Sequence, residues 1–236
     1  MIINIDCLEY LRECKKGDFR IIFADPPDNL GLNYNSYKDQ KSPEAYYNEI
    51  ELLIKESLRV GSIVWISYYW RHDIEIKYRV RRILKNEHPS WEAKTFIWRF
   101  AFGQHCETDC GSGFRFLLRL NGPGVQLDTD SIRVPSLRQT KYNDPRANPD
   151  GRVPDDVFDV PRVTGNAAER RPWHPTQHPE SLIERILKLS GKGKILDCFG
   201  GSGTVDRVCR RLGWDCTTCE IDPFYCEKMN ETNIDK

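Results

Sequence analysis

Two short segments hold residue types that could do chemistry together: Asp25-Pro26-Pro27-Asp28, and Asp197-Cys198-Phe199-Gly200-Gly201-Ser202-Gly203-Thr204. In the first, the prolines stiffen the chain and remove two amide donors, leaving carbonyl oxygens free to accept. One carboxylate and one proline carbonyl can hold both hydrogens of an exocyclic amine on a nucleobase. The nitrogen lone pair is then aimed at an electrophilic methyl group for in-line transfer. Alone, Asp-Pro-Pro is an ordinary turn. Its place after an apolar run, Arg20 to Ala24, with a separate ligand loop elsewhere, favours the chemical reading.

In the second segment, Gly200, Gly201 and Gly203 let backbone amides approach a ligand closely, because glycine has no Cβ. Glu220 falls where an acid at the end of the next strand would take ribose hydroxyls, with Asp222 just behind it. The Gly-Gly-Ser-Gly spacing does not match the dinucleotide fingerprint, and no lysine follows as in a phosphate-cradling loop. Asp197 would repel a pyrophosphate but could accept a hydrogen bond from a cationic amino-acid group, which favours S-adenosylmethionine. The bland alternative is a tight turn opening a helix.

Strand and helix signals alternate at both ends of the chain, the pattern of a parallel sheet covered by helices. Strands are predicted over 2–5, 20–24, 62–67, 194–196 and 214–220, and helices over 7–14, 43–58, 179–190 and 204–212. Ser42 is the expected N-cap of the second helix, with Pro43 and Glu44 in its first turn, and Gly61 ends it. Asp25 and the glycine loop then share the carboxyl edge of the sheet, where open α/β folds place ligands. Residues 103–173 are rich in Gly, Pro, Asp and Arg with weak periodicity, which predicts long loops or an inserted lobe.

Hydrophobic content of 39% with 30% charged residues fits a globular chain of 236 residues, too short for two independent domains. No window has the length of a membrane span and no secretory signal is evident, so an intracellular, cytoplasmic protein is expected. Nine cysteines, odd in number and scattered, point to reduced thiols. His105 and Cys106 with Cys110, and Cys216 with Cys219, could in principle ligate zinc; the spacing is loose, and no metal is expected. The net charge of zero gives no global attraction to nucleic acid, although a basic cleft needs only local asymmetry. Candidates for it are the basic stretch 77–85, which reads equally well as the solvated face of a helix, and the arginines between Arg133 and Arg171.

The order of the segments resembles the DNA amino-methyltransferases that make N6-methyladenine or N4-methylcytosine, in the permuted beta-group arrangement. That family carries Asp-Pro-Pro-aromatic early, a His-Pro-Thr-Gln-type segment late, and then Phe-x-Gly-x-Gly. Here they correspond to Asp25-Pro26-Pro27-Asp28, His174-Pro175-Thr176-Gln177 and Phe199-Gly200-Gly201-Ser202-Gly203. Protein glutamine methyltransferases have the opposite order. The resemblance covers roughly 1–70 and 170–230. It implies a Rossmann-like α/β methyltransferase fold, mostly parallel with helices on both faces, forming one domain over 1–236. Within it, 1–102 would be a catalytic half, 103–170 a loop-rich target-recognition insert, and 171–236 a cofactor-binding half.

Carried over by residue, the resemblance makes Asp25 and the Pro26 carbonyl the holders of the target amine, with Pro27 and Asp28 completing the motif. Asp6, Thr176, Gln177, Asp197, Phe199, Gly200, Gly201, Gly203, Thr204, Glu220 and Asp222 would surround S-adenosylmethionine. Asp6 reads equally well as a helix cap. Arg138, Arg146 and Arg152 would contact DNA, the alternative being surface ion pairs.

Asp28 stands where the family's ring stacks on the flipped base, and a carboxylate cannot stack. Tyr34, Tyr37 or Trp70 could supply the ring, Asp28 could read a modified base, or activity could be impaired. The expected activity is DNA methylation, adenine N6 favoured over cytosine N4 because Asp rather than Ser precedes the prolines. RNA as substrate, a DNA-binding homologue without turnover, an NAD-type oxidoreductase and a homodimer stay open.

Overall fold

Alternating side chains along three central strands build two hydrophobic cores at once, one on each face of a sheet. In the computed structural model, which describes residues 1–100 and 106–234, the chain runs β1 (Ile2–Asn4), α1 (Cys7–Glu13), β2 (Phe19–Ala24), α2 (Pro43–Val60), β3 (Gly61–Tyr68), α3 (Asp73–Glu87), β4 (Glu92–Arg99) and β5 (Phe114–Asn121). It continues through α4 (Leu137–Thr140), β6 (Val157–Asp159), α5 (Glu180–Ser190), β7 (Ile195–Asp197), α6 (Thr204–Leu212), β8 (Cys216–Glu220) and α7 (Pro223–Ile234). Ile22, Ala24, Val64, Ile66, Leu118 and Leu120 face a core shared with α1, α2 and α3. Ile21, Phe23, Ile63, Trp65 and Leu117 face the opposite core, filled by α5 and α6. This period-two division is what a strand buried on both faces requires.

The strand order is β1-β8-β7-β2-β3-β5-β4-β6. β1, β8, β7, β2 and β3 pair in parallel, β5 runs antiparallel to both β3 and β4, and β6 is parallel to β4. The sheet is thus an α/β, mostly parallel one with helices on both faces, as expected. From β2 the chain moves outward through β3 on one side, while β7 and β8 extend the other, so β2 and β7 flank a topological switch point.

Helix ends follow local chemistry. Ser42 Oγ accepts from Ala45 N at 3.3 Å with Pro43 in the first turn, and Gly61 closes α2. Thr204–Leu212 is the helix predicted over 204–212.

The middle of the chain corrects the expectation of loops. Residues 114–121 form β5, a strand inside the sheet, and residues 157–159 add β6 at its edge. Phe-Arg-Phe-Leu-Leu-Arg-Leu is a strand that puts Leu117 in one core and Leu118 and Leu120 in the other. Its two arginines mask the apolar run. Irregular chain fills most of 122–156 instead, with the short α4 inside it.

Candidate active site

A cleft of ≈ 470 Å³ opens at the carboxyl ends of β2, β7 and β8, within the size range of small-molecule sites. Register brings its two halves together: Phe23 pairs with Asp197, and Cys198 N donates to Phe23 O at 2.9 Å. Asp25, the first residue beyond β2, therefore stands beside the loop that follows β7. Both it and the prolines Pro26 and Pro27 line the cleft.

Two cationic or polar partners hold the Asp25 carboxylate. Arg115 Nη2 donates to Oδ1 at 2.8 Å, and His178 Nδ1 lies 3.2 Å from Oδ2. Burial alone would raise the pKa of Asp25, but His178 and Arg115 hold it below the ordinary value. Burial lowers the pKa of His178 against the opposing pull of Asp25. A carboxylate offers about four lone-pair sites, so two donors leave room for a ligand amine.

Asp28 does not point a free carboxylate into this space. Its Oδ1 accepts from Tyr69 N at 3.0 Å and from Arg115 Nη2 at 3.0 Å, while Oδ2 accepts from Arg115 Nη1. His72 Nε2 lies 2.7 Å from its carbonyl oxygen, and the residue is buried. Reading a modified base through this carboxylate would require breaking that pairing.

The glycine loop forms the other wall. Gly201 N donates to Glu220 Oε2 at 2.7 Å, and Glu220 Oε1 accepts from Asp222 N at 2.8 Å. A Cβ on Gly200 would lie 2.7 Å from Thr218 Cγ2 and 2.9 Å from Met229 Cε, so only glycine brings the loop this close. Asp197 is 1% exposed; Oδ1 accepts from Phe199 N at 3.3 Å, while Oδ2 is buried with no partner among the described residues. Such an orphaned buried oxygen suits a cationic group of a ligand, and burial foremost pushes the Asp197 carboxyl well above its ordinary pKa. Burial likewise raises the Glu220 carboxyl.

Phe199, Thr176 and Thr204 line the same cleft, as does Asp6, which also caps α1 by accepting from Leu8 N at 2.8 Å. Asp6 is thus the helix cap expected as the alternative, placed at the rim of the cleft.

Three expected cofactor residues are otherwise engaged. Gly203 is not among the lining residues; with φ 75° it opens α6 and packs on Met229. Asp222 borders the cleft, but its oxygens accept from Asn35 Nδ2, Ser36 N, Ser36 Oγ and Phe224 N, tying the segment after Asp-Pro-Pro to α7. Gln177 also borders it, yet accepts from Arg171 N at 2.8 Å and donates to Glu169 O at 2.7 Å.

Of the expected rings, Tyr34 and Tyr37 line the cleft, edge to face with centroids 6.2 Å apart. Burial, then the nearby carboxylates of Asp25, Asp39 and Asp28, pushes the Tyr34 hydroxyl pKa up. Trp70 is not at the cleft; it is 43% exposed against Tyr69, and Tyr69 lines the cavity in its place.

Arg138, Arg146 and Arg152 lie outside the cleft and make exposed ion pairs, the first two with Asp144 and the third with Asp155. Cys216 and Cys219 are buried on β8, Cys106 and Cys110 are exposed, and His105 lies outside the described residues. Among the described residues no group of three or more potential ligands could hold a metal. No described helix is long and apolar enough to cross a membrane. The basic stretch 77–85 lies on α3, where Arg79 and Arg82 pair with Glu51 of α2.

The family described as DNA methylase, of N6/N4 type, matches residues 19–231. The chain belongs to the N6/N4 DNA methylase family. It is 32% identical to the type II methyltransferase M1.MboII of Moraxella bovis, over 97% of this chain and 94% of that protein. It is 27% identical to the DNA adenine methyltransferase YhdJ of Escherichia coli strain K12, over 99% and 82% respectively. Among solved structures, the cytosine-N4-specific PvuII DNA methyltransferase has the same fold, with a TM-score of 0.70, 12% identity and coverage of 97% of this chain and 84% of that one. A DNA modification methylase of Thermus thermophilus, solved with S-adenosyl-L-methionine, gives 0.64 at 17% identity over 98% and 91%.

As an N6/N4 DNA methylase, this chain is a DNA methyltransferase. Its site contains three groups that sequence reasoning missed: Arg115, His178 and Ser67. His178 lies one residue beyond the His-Pro-Thr-Gln segment and could have been found there. Arg115 had no such signal, because its place depends on β5 running antiparallel to β3.

Proposed function

We propose that this DNA methylase transfers a methyl group from S-adenosylmethionine to an exocyclic amine of a DNA base, adenine N6 before cytosine N4. The observation that carries this reading is the shared cleft: Asp25 beyond β2 and Asp197 at the end of β7 line one cavity across a single pair of strands. When bound, S-adenosylmethionine supplies an electrophilic methyl group.

The protein's residues do the rest. Asp197 and Glu220 accept from the cationic and hydroxyl groups of the cofactor, and Phe199 covers it. Asp25 accepts one hydrogen of the target amine and the Pro26 carbonyl the other, which orients the nitrogen lone pair. After transfer the methylated nitrogen must lose a proton, and the ionised Asp25 is the base in reach. Tyr34 or Tyr37 stacks on the extruded base, since both rings line the cavity. The adenine preference is supported by the acid before the prolines and by likeness to an adenine methyltransferase. Within the expected insert 103–170, the irregular segment 122–156 outside the sheet reads the DNA sequence, and the enzyme works in the cytoplasm of a bacterial or phage-infected cell.

Incubation of the protein with tritiated cofactor and unmethylated DNA of diverse sequence tests this reading, followed by sequencing of the modified bases. Label in DNA at adenine N6 is expected. Label confined to RNA, or binding of cofactor and DNA without label, would replace it.

A further inference from the structure

We propose that Arg115 is a positioning residue for methyl transfer: its guanidinium, held in plane by Asp28, fixes the Asp25 carboxylate, so that Asp28 and Arg115 act as one unit. This rests on the reading of Asp25 as the group that holds the target amine.

The geometry arises from strand direction. β5 is antiparallel to β3, so its first residues, not its last, reach the carboxyl edge of the sheet. Arg115 is the second residue of β5, and it directs nearly all its donors there. Nη1 and Nη2 both donate to Asp28, Nη2 donates also to Asp25 at 2.8 Å, and Nε donates to Ser67 Oγ at 2.6 Å. A planar fork set against one carboxylate in two-point contact has one orientation, which a lysine ammonium cannot reproduce.

His178 closes the ring of contacts. With its proton on Nδ1 it donates to Asp25 Oδ2 at 3.2 Å, and Nε2, 3.3 Å from Ser67 Oγ, accepts the serine hydroxyl. Ser67 in turn accepts from Arg115. Asp25, His178, Ser67 and Arg115 thus form a closed cycle, contributed by the chain after β2, the loop before α5, β3 and β5. Asp28 lies outside the cycle and anchors it, being fixed by Tyr69 N at 3.0 Å.

A surface ion pair does not explain this arrangement. The side chains of Arg115 and Asp28 are 15% and 10% exposed, and a buried guanidinium is retained at a desolvation cost. Without it, the Asp25 carboxylate would turn about its last bond and take up a proton more readily. Either change loosens its hold on the amine. The acid at position 28, in place of the family's ring, is then the counterpart of an arginine that a ring could not hold.

Arg115→Met, Arg115→Lys and Asp28→Asn are compared with the unaltered enzyme for DNA methylation, with thermal midpoint and cofactor affinity as controls. Arg115→Met is expected to lower kcat by about 100-fold and Asp28→Asn by about tenfold, as displacement of a reacting group by about 1 Å does. Cofactor affinity stays within about twofold, and Arg115→Lys falls between the two other variants. Asp28→Asn costs nothing further once Arg115 is Met, because it acts through Arg115.

A carboxyl-carbon NMR titration of Asp25 gives a readout independent of turnover: its midpoint rises in Arg115→Met. Unchanged kcat in Arg115→Met, equal losses from Asp28→Asn in both backgrounds, or an unmoved Asp25 titration overturns the proposal. If the unaltered enzyme labels no nucleic acid, the functional reading fails, and the titration still decides whether Arg115 governs Asp25. If Arg115→Met does not fold, Asp28→Asn and Arg115→Lys carry the same comparisons.

Discussion

Asp25 and Asp197 illustrate how the same residue type acquires opposite properties within one cleft. Asp25 is held ionised by Arg115 and His178, whereas Asp197, buried with one oxygen unpartnered among the described residues, is pushed toward its neutral form. Replacing Asp25 with Asn should lower methyl incorporation by about 10²–10³-fold, as loss of a group that stabilises the transition state does, with labelled cofactor still bound. A loss of cofactor binding as well would show that Asp25 serves the cofactor rather than the target amine.

For Asp197 the sign follows from linkage. The unfolded chain releases this proton near the ordinary value of 3.8 and the folded protein only well above it. Between those values the folded state binds more protons, so stability without cofactor falls as pH rises through that window, and Glu220 adds in the same direction. A cationic ligand group favours the ionised form, so the thermal stabilisation given by S-adenosylmethionine should grow as pH rises above the ordinary carboxylate range. Asp197→Asn should flatten that dependence. At this scale the places of Asp25, Asp197 and Glu220 were legible from sequence, because Asp25 stands between an apolar run and two prolines, Asp197 ends the strand before the glycine loop, and Glu220 ends the strand after it. The binding of Asp28 to Arg115, 87 residues away, was not.

Among the elements, the loop between β7 and α6 depends most on tight backbone packing. Gly200→Ala would drive a methyl group against Thr218, Met229 and Glu220, of which Thr218 and Glu220 stand on β8. Overpacking of this kind should cost roughly 1–3 kcal/mol in urea unfolding and weaken cofactor binding. Stability and affinity equal to those of the unaltered protein would mean that α7 yields around Met229. The caps of α2, the limits of α6 and the parallel strands at both ends were predictable because each rests on neighbours in sequence: Ser42 with Pro43, Gly203 with Thr204, an apolar run before a turn. β5 escaped because Arg115 and Arg119 interrupt its apolar pattern. Tertiary structure accommodates both, Arg115 against two carboxylates and Arg119 over the rings of Trp65 and Phe96 at 5.7 and 5.0 Å.

For the whole molecule, zero net charge means that attraction to DNA must come from local arginines rather than from a global field. Arg138, Arg146 and Arg152 are exposed and weakly paired, so DNA phosphates can displace Asp144 and Asp155 as partners. Changing all three to Ala should weaken DNA binding about equally for every sequence and reduce the salt slope by about 1 for each phosphate no longer neutralised. An unchanged slope in a salt titration would move the DNA surface elsewhere. The sequence by itself determined the fold class, the order of the motifs, and the meeting of Asp25 with the glycine loop at one edge of the sheet, because these rest on periodicity and on residues adjacent in the chain. Only the tertiary structure decided that Trp70 stands off the cleft, that Asp222 and Gln177 brace loops, and that Asp28 holds an arginine. Each of those outcomes depends on strands and loops distant in sequence meeting at one edge, and the direction of β5 was the step that sequence periodicity could not supply.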